Sequence, residues 1–278
     1  MLLATVLALA SALLHAGWNL LVKRSQDRLV SVWAQFAIGA LPFLPVLVLA
    51  GPPEPVTYPY ILLSALLQGA YAVALAKAYG SGDLSVTYPV ARGVSPLLAT
   101  VGGVVLLGEP LPSLGYLGVL LTSAGLLWIA FRGGRPRGLG WALTSGVLIS
   151  GYTLSDAAGV RAGASTLRYT AALFVASALV LTAVVLTRRR PAAIVAALRQ
   201  TPGAHVLNAV CAATAYVFVL AALRLAPVAY VATLREVSVV FGVLGGWLLL
   251  REPFGGARTA GAVVVAGGIG VLIASSLG

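Results

Sequence analysis

Two arginines of this 278-residue chain, Arg92 and Arg235, stand inside apolar runs, 143 positions apart. A guanidinium is always charged and offers five N–H donors in a planar fork, a geometry suited to carboxylate or phosphate oxyanions. Tyr88, Arg92, Ser95 and Ala99 recur at helical spacing, so they share one stripe of polar and small residues. Ser238 and Glu236 stand beside Arg235 in the same way. With Trp18 and Tyr152 these residues are the candidate substrate contacts, and the chemistry they suit is capture of an anion or a zwitterion. The competing reading is architectural: each arginine caps backbone carbonyls or pairs with a carboxylate, Glu236 being the nearest. His15, three residues before Trp18, and Asp156 are candidates for carrying a coupling proton, or else hydrogen-bonded helix contacts. Tyr71, Tyr79, Trp33 and Gln68 read as cavity walls or as interfacial residues, and Lys77 as a side chain that snorkels to the interface.

The arginines belong to a duplication. Sliding the chain by 143 sets 92–125 on 235–268 without a gap, with eleven identities in 34 positions, Val94 on Val237 included. Arg92, Ser95, Gly102, Gly103, Leu106, Leu107, Glu109, Pro110, Gly118 and Gly125 meet Arg235, Ser238, Gly245, Gly246, Leu249, Leu250, Glu252, Pro253, Gly261 and Gly268. A shift of 134 also sets Gly17-Trp18 on Gly151-Tyr152. The glycines read as sites of close helix approach. Glu109 and Glu252, each beside a proline that opens a helix, read as favouring that helix's positive N-terminus. Pro89 and Pro96 flank Arg92 and free carbonyls at depth.

Composition fixes the medium. With 60% hydrophobic and 9% charged residues and a mean hydropathy of +1.00, the chain reads as an all-α integral membrane protein. Ten spans are expected, roughly 2–22, 30–50, 58–79, 85–107, 112–131, 138–159, 166–187, 203–223, 228–250 and 256–276. The first lacks a basic leader and is read as a retained helix. The connection at 188–202 has room for a short interfacial helix over 192–199. Five spans per copy is odd, so the second copy enters the membrane from the opposite face. The expected architecture is therefore two inverted five-helix repeats, 1–131 and 138–276, with a substrate site where they meet near the midplane. Arg92 lies about eight residues into its span, ~10 Å deep at ~1.5 Å per residue. Arg235 matches that depth from the other face, which puts the two guanidiniums on either side of the midplane of a ~30 Å core, ~10 Å apart in depth.

The net charge of +11 does not point to nucleic acid, because most basic residues cluster between apolar runs. Odd-numbered connections hold Lys23, Arg24, Arg28, Arg132, Arg135, Arg137, Arg188, Arg189, Arg190, Arg199, Arg251 and Arg258. Even-numbered ones hold Arg161, Arg168 and Arg224. Twelve against three puts the odd connections in the cytoplasm and both termini outside. The single cysteine, Cys211, has no partner within the chain for a disulfide. No Cys/His cluster points to a metal and no Gly-rich loop ending in Lys-Ser/Thr to a nucleotide, so neither metal nor cofactor is expected. Small-molecule substrate and lipid bilayer are the expected partners, with monomer and homodimer both open.

The doubled five-helix unit, the Leu-Leu-Gly-Glu-Pro turn at 106–110, the Leu-Leu-Arg-Glu-Pro turn at 249–253 and the stretch His15-Ala-Gly-Trp-Asn19 resemble EamA transporters of the drug/metabolite transporter superfamily. The resemblance covers essentially the whole chain. It implies a secondary carrier, not an enzyme, in a bacterial inner membrane, with a central cavity lined by helices 1–4 and 6–9. Better-known members keep both termini in the cytoplasm, against the basic-residue count. Many carry Glu-Pro where this chain has Ser95-Pro96 and Ser238-Val239, and Trp-Gly where it has His15-Ala16, so this cavity is more basic than the family's. The competing functions are a non-transporting assembly subunit and a membrane-embedded enzyme acting on a lipid-linked substrate.

Overall fold

The computed structural model describes residues 1–81, 84–132, 138–241, 244 and 256–276. Within the helices the side chains at 20, 23, 24, 76, 79–81, 84–87, 257 and 258 are not described. Of the duplicated residues, Gly245, Gly246, Leu249, Leu250, Glu252 and Pro253 lie outside the described residues, as do Arg135, Arg137 and Arg251.

Every regular element among the described residues is helical. The helices are α1 (Leu2–Arg24), α2 (Arg28–Ala40), α3 (Leu44–Leu49), α4 (Tyr58–Ser81), α5 (Leu84–Leu107), α6 (Ser113–Arg132), α7 (Leu139–Ala162), α8 (Thr166–Leu186), α9 (Pro191–Gln200), α10 (Pro202–Leu225), α11 (Val228–Leu234), α12 (237–241) and α13 (Gly256–Ala274). Seven of these segments are long and apolar enough to cross a membrane: Leu2–Asn19, Arg28–Leu49, Pro55–Leu75, Tyr88–Leu107, Ser113–Arg132, Thr166–Leu186 and Pro202–Leu225. The predicted short helix after α8 is present as α9. Two expected helices are broken. The second span tightens into a 3-10 turn at Leu41–Phe43, because Pro42 and Pro45 have no N–H for the α-helical ladder. The ninth breaks at Arg235-Glu236, although no proline or glycine stands between 228 and 241.

Side-by-side packing follows small residues. Ala4, Ala8, Ser11, Ala12 and Ala16 are buried along one side of α1, which lies against α10, and Ser11 Oγ donates to Ala215 O at 2.8 Å. In lipid such small-residue stripes let backbones approach and gain dispersion contacts. Along the α6–α13 seam a methyl group on Gly118 would sit 2.8 Å from both Gly268 O and Leu272 N, and one on Gly125 2.9 Å from Gly261 O. The outer surface is apolar, with Val48 80%, Leu49 86% and Val105 72% exposed, as suits a lipid-facing belt.

The main packing pairs map onto one another when the halves of the chain are exchanged. With α1 traded for α7, α2 for α8, α4 for α10, α5 for α11–α12 and α6 for α13, the α4–α7 pair becomes α10–α1 and α2–α10 becomes α8–α4. The α2–α8, α5–α11 and α6–α13 pairs map onto themselves. Helices of the two halves are thus interleaved, and α5 and α11 meet at the centre.

Candidate functional site

Two events on α5 and on the α11–α12 break build the centre. At the break the backbone switches to three-residue hydrogen bonds, Glu236 N to Thr233 O at 3.0 Å, Ser238 N to Arg235 O at 3.1 Å and Val239 N to Glu236 O at 3.0 Å. Tightened or interrupted helices of this kind recur at functional sites in membrane carriers. The Arg235 carbonyl accepts a second bond there, from Arg92 Nη2 at 3.2 Å, and the same nitrogen donates to Ser238 Oγ at 3.0 Å. Arg92 Nε lies 2.9 Å from Glu236 Oε2, an ion pair with both side chains 3% exposed. The Arg92 side chain therefore reaches the backbone of Arg235, because α5 packs directly on α11.

The two arginines have unequal surroundings. Arg92 is neutralised and hydrogen-bonded by residues 143–146 positions away, which is the architectural reading of a buried arginine. Arg235 is 7% exposed, its Nε has no hydrogen-bond partner, and among the described residues its guanidinium makes no hydrogen bond or ion pair. A buried cation without such partners carries most of its desolvation cost uncompensated.

Arg235 borders a cavity of about 1060 Å³ of empty space, open mouth included. The inner wall holds Ser11, His15, Gln68, Arg92, Tyr152, Tyr216 and Arg235, and the space runs outward past Trp18, Asn19 and Gln35 to Val22, Arg28 and Leu29 around the α1–α2 turn. Its described lining includes three arginines and no carboxylate. Aromatic edges shape it: His15 packs edge-on to Trp18 with ring centroids 4.6 Å apart, and Tyr71 packs edge-on to Tyr152 at 6.1 Å.

Of the residues singled out in the sequence, Arg92, Arg235, Trp18, Tyr152 and His15 border the cavity. Glu236 and Ser238 are absent from its lining and are instead partners of Arg92, while Ser95 is buried and Tyr88 packs against the central core. Asp156 lies behind the wall, accepting hydrogen bonds from Tyr169 OH at 3.1 Å and Tyr216 OH at 2.5 Å. Tyr71 and Gln68 join the lining, whereas Trp33 donates to Thr182 Oγ1 at 2.8 Å and the Tyr79 side chain is not described. Lys77 lies over the Trp141 ring, 4.4 Å from its centroid. Tyr216, Gln35 and Arg28 are lining residues that sequence spacing does not single out.

The end opposite the mouth is tied shut. Arg161 pairs with Glu109 and donates to Leu223 O at 2.7 Å and Ala226 O at 2.8 Å. Glu109 Oε2 accepts from Val228 N at 2.8 Å, so it serves the N-terminus of α11 and not that of its own following helix. Arg224 donates to Val160 O and Gly163 O, and Arg168 pairs with Glu54 at 2.5 Å. At the mouth end Asp27 caps α2 and pairs with Arg189 at 2.5 Å.

The EamA-like transporter family matches this chain twice, over residues 2–131 and 136–274. The chain belongs to the EamA-like transporter family. It is thus an integral membrane protein, and its family relationship supports secondary transport as its kind of activity. No curated protein matches this EamA-like chain. A crystal structure of a protein 19% identical to it superposes with a TM-score of 0.78, covering 97% of this chain and 96% of the other. At that identity the likeness speaks for the EamA-like fold alone.

Proposed function

We propose that this protein carries a small anionic or zwitterionic metabolite, amino-acid-like in size, by alternating access through the central cavity. The observation that carries the reading is Arg235, a buried cation with no hydrogen-bond or ion-pair partner among the described residues, bordering a cavity whose described lining has no carboxylate. An oxyanion entering the cavity supplies what Arg235 lacks, and charge-assisted bonds to a guanidinium fork are stronger than neutral ones. Arg92 is the brace that holds α5 to the broken helix beside it, and Trp18, Tyr152 and His15 form walls.

Ten spans in two inverted repeats, 1–131 and 138–276, complete the reading, supported by the exchange symmetry of the packing. The cavity mouth lies on the side of the odd-numbered, basic connections, which the excess of Lys and Arg puts in the cytoplasm of a bacterial inner membrane, with both termini outside. The Glu109–Arg161 cluster then closes the outer end and must open for release or loading there.

The test is counterflow in proteoliposomes with radiolabelled glutamate, pyruvate and glycerol 3-phosphate. At least one of the three exchanges in the wild type, and Arg235→Met lowers its exchange at least tenfold. Exchange of none of the three, wild-type exchange in Arg235→Met, or thermal stabilisation only by a lipophilic cation such as tetraphenylphosphonium overturns the reading.

A further inference from the structure

Behind the cavity wall lies a second polar centre. Asp156 is 1% exposed and takes its hydrogen bonds from neutral hydroxyls, Tyr169 OH and Tyr216 OH. Among the described residues no cation lies within ion-pair distance of it. Tyr216 in turn accepts from Gln68 Nε2 at 3.1 Å, and that amide nitrogen also donates to Ser64 Oγ at 3.0 Å. Because Tyr216 and Gln68 both border the cavity, one phenol separates Asp156 from its contents.

The titratable groups around Asp156 are Tyr169 from α8, Tyr216 from α10, Tyr152 one turn earlier on α7, and Tyr60 from α4 next to Tyr169. Among the cations, Arg235 acts on it through its charge. Arg92, on α5, is already matched by Glu236. At the buried centre the described residues thus include the cations Arg92 and Arg235 and the carboxylates Glu236 and Asp156. One pair is in contact, and the other, Arg235 and Asp156, balances only through space.

Binding of an anion at Arg235 disturbs this balance. The anion takes up the positive field that Asp156 relied on and adds a negative charge nearby, so an ionised Asp156 loses its compensation. A proton on Asp156 restores neutrality, and by reciprocity a protonated Asp156 tightens the anion's hold on Arg235. We propose that Asp156 carries a proton that moves with the anion, one proton per singly charged anion, making transport of a monoanion an electroneutral symport. This rests on the reading of Arg235 as the anion site. In the loaded state Asp156 is a neutral acid that donates one hydrogen bond and Arg235 is paired with the anion. In the empty state Asp156 is a carboxylate and the proton has passed to water. Neither state moves net charge, so the membrane potential neither drives nor opposes the cycle.

Proteoliposomes loaded with wild-type protein and given the panel anion with the largest counterflow decide the matter. For a monovalent anion, an inside-alkaline gradient of one pH unit drives about tenfold accumulation, with no response to a potassium–valinomycin potential. A pH-sensitive dye in the lumen reports proton entry with the anion. In Asp156→Asn the pH gradient drives no accumulation and the potential alters the flux, while Asp156→Glu keeps the pH response. Wild-type accumulation that follows the potential and ignores the pH gradient, or tenfold accumulation in Asp156→Asn, overturns the proposal. Either result leaves the anion reading standing wherever counterflow persists. Absence of counterflow for the whole panel overturns the anion reading and this proposal with it.

Discussion

Arg92 and Arg235 are equivalent in the sequence repeat, yet replacing each by methionine should move stability in opposite directions. Methionine keeps a long unbranched side chain and removes the charge. Arg92→Met leaves Glu236 as a buried carboxylate, 2% exposed, with its ion-pair partner gone. Breaking one side of a buried pair costs about 3–5 kcal/mol. Ser238 Oγ and the Arg235 carbonyl each lose a donor as well, at about 0.5–1.5 kcal/mol apiece. Arg235→Met has no side-chain hydrogen bond among the described residues to lose and removes a cation that costs at least about 2.5–3.5 kcal/mol at a helix centre, while Asp156, left without that cation's field, takes up a proton. The expected outcome is a loss of about 4–8 kcal/mol for Arg92→Met and no loss, or a gain of up to about 2.5 kcal/mol, for Arg235→Met. Equilibrium unfolding of ligand-free protein in mixed micelles, followed by tryptophan fluorescence, reads both. The double variant Arg92→Met/Glu236→Met should recover most of the Arg92→Met loss, since it leaves no unmatched charge. Equal destabilisation by the two arginine variants, or a loss above about 1 kcal/mol for Arg235→Met, would refute the division into brace and binding cation.

Along the α6–α13 seam, Gly118→Ala and Gly125→Ala drive a methyl group into opposing backbone and should each cost about 1–3 kcal/mol, whereas Gly17→Ala and Gly203→Ala, with nothing within 4 Å, should be neutral or mildly stabilising in the same unfolding assay. At the mouth end, burial works against ionisation of Asp27, but the Arg189 hydrogen bond and charge and the Val30 and Leu29 amides outweigh it and hold the carboxyl below its ordinary value. A depressed acid stabilises the fold fully above its unfolded value and loses that contribution as pH falls through the folded one. The wild-type thermal midpoint should therefore drop below about pH 4 by an increment that Asp27→Asn lacks, worth under ~1 kcal/mol because Arg189 is 41% exposed. At the closed end, Glu109→Gln removes the charge that holds Arg161 and weakens the bond to Val228 N. With Cys211→Ala as background, a cysteine at the fully buried Ala229 should react several-fold faster with a membrane-impermeant maleimide in Glu109→Gln than without it, and equal rates would exclude Glu109 as a gate.

The helical frame was legible because lipid demands long apolar runs and because duplication leaves a register that needs no structure to see. The arginines stood out for the same reason, since a charge inside such a run is costly. Their difference was not legible. It depends on Glu236 reaching across to α5 instead of to its neighbour Arg235, and on a helix break that no proline or glycine marks. Glu109 looked like a helix-opening acid because local spacing is all a sequence offers, and its partners Arg161 and Val228 lie 52 and 119 residues away. Tyr216 and Gln35 carry no charge and no periodic signature, so only the cavity reveals them. Asp156 was visible as a carboxylate among apolar residues, while its hydroxyl partners Tyr169 and Tyr216 came from two other helices.

Interleaving of the halves has a consequence for how the chain is made. The alanine stripe of α1 is covered by α10, which begins at Pro202, about 180 residues after α1 ends. At roughly 5–20 residues per second, α1 waits some 10–35 s between leaving the ribosome and meeting its partner. During that interval its small-residue side faces lipid or the insertion machinery, with Ser11 unable to reach the Ala215 carbonyl. Assembly therefore cannot proceed one repeat at a time. Each half is completed by the other, and separately expressed 1–131 and 138–276 fragments should be degraded alone and accumulate only when made together.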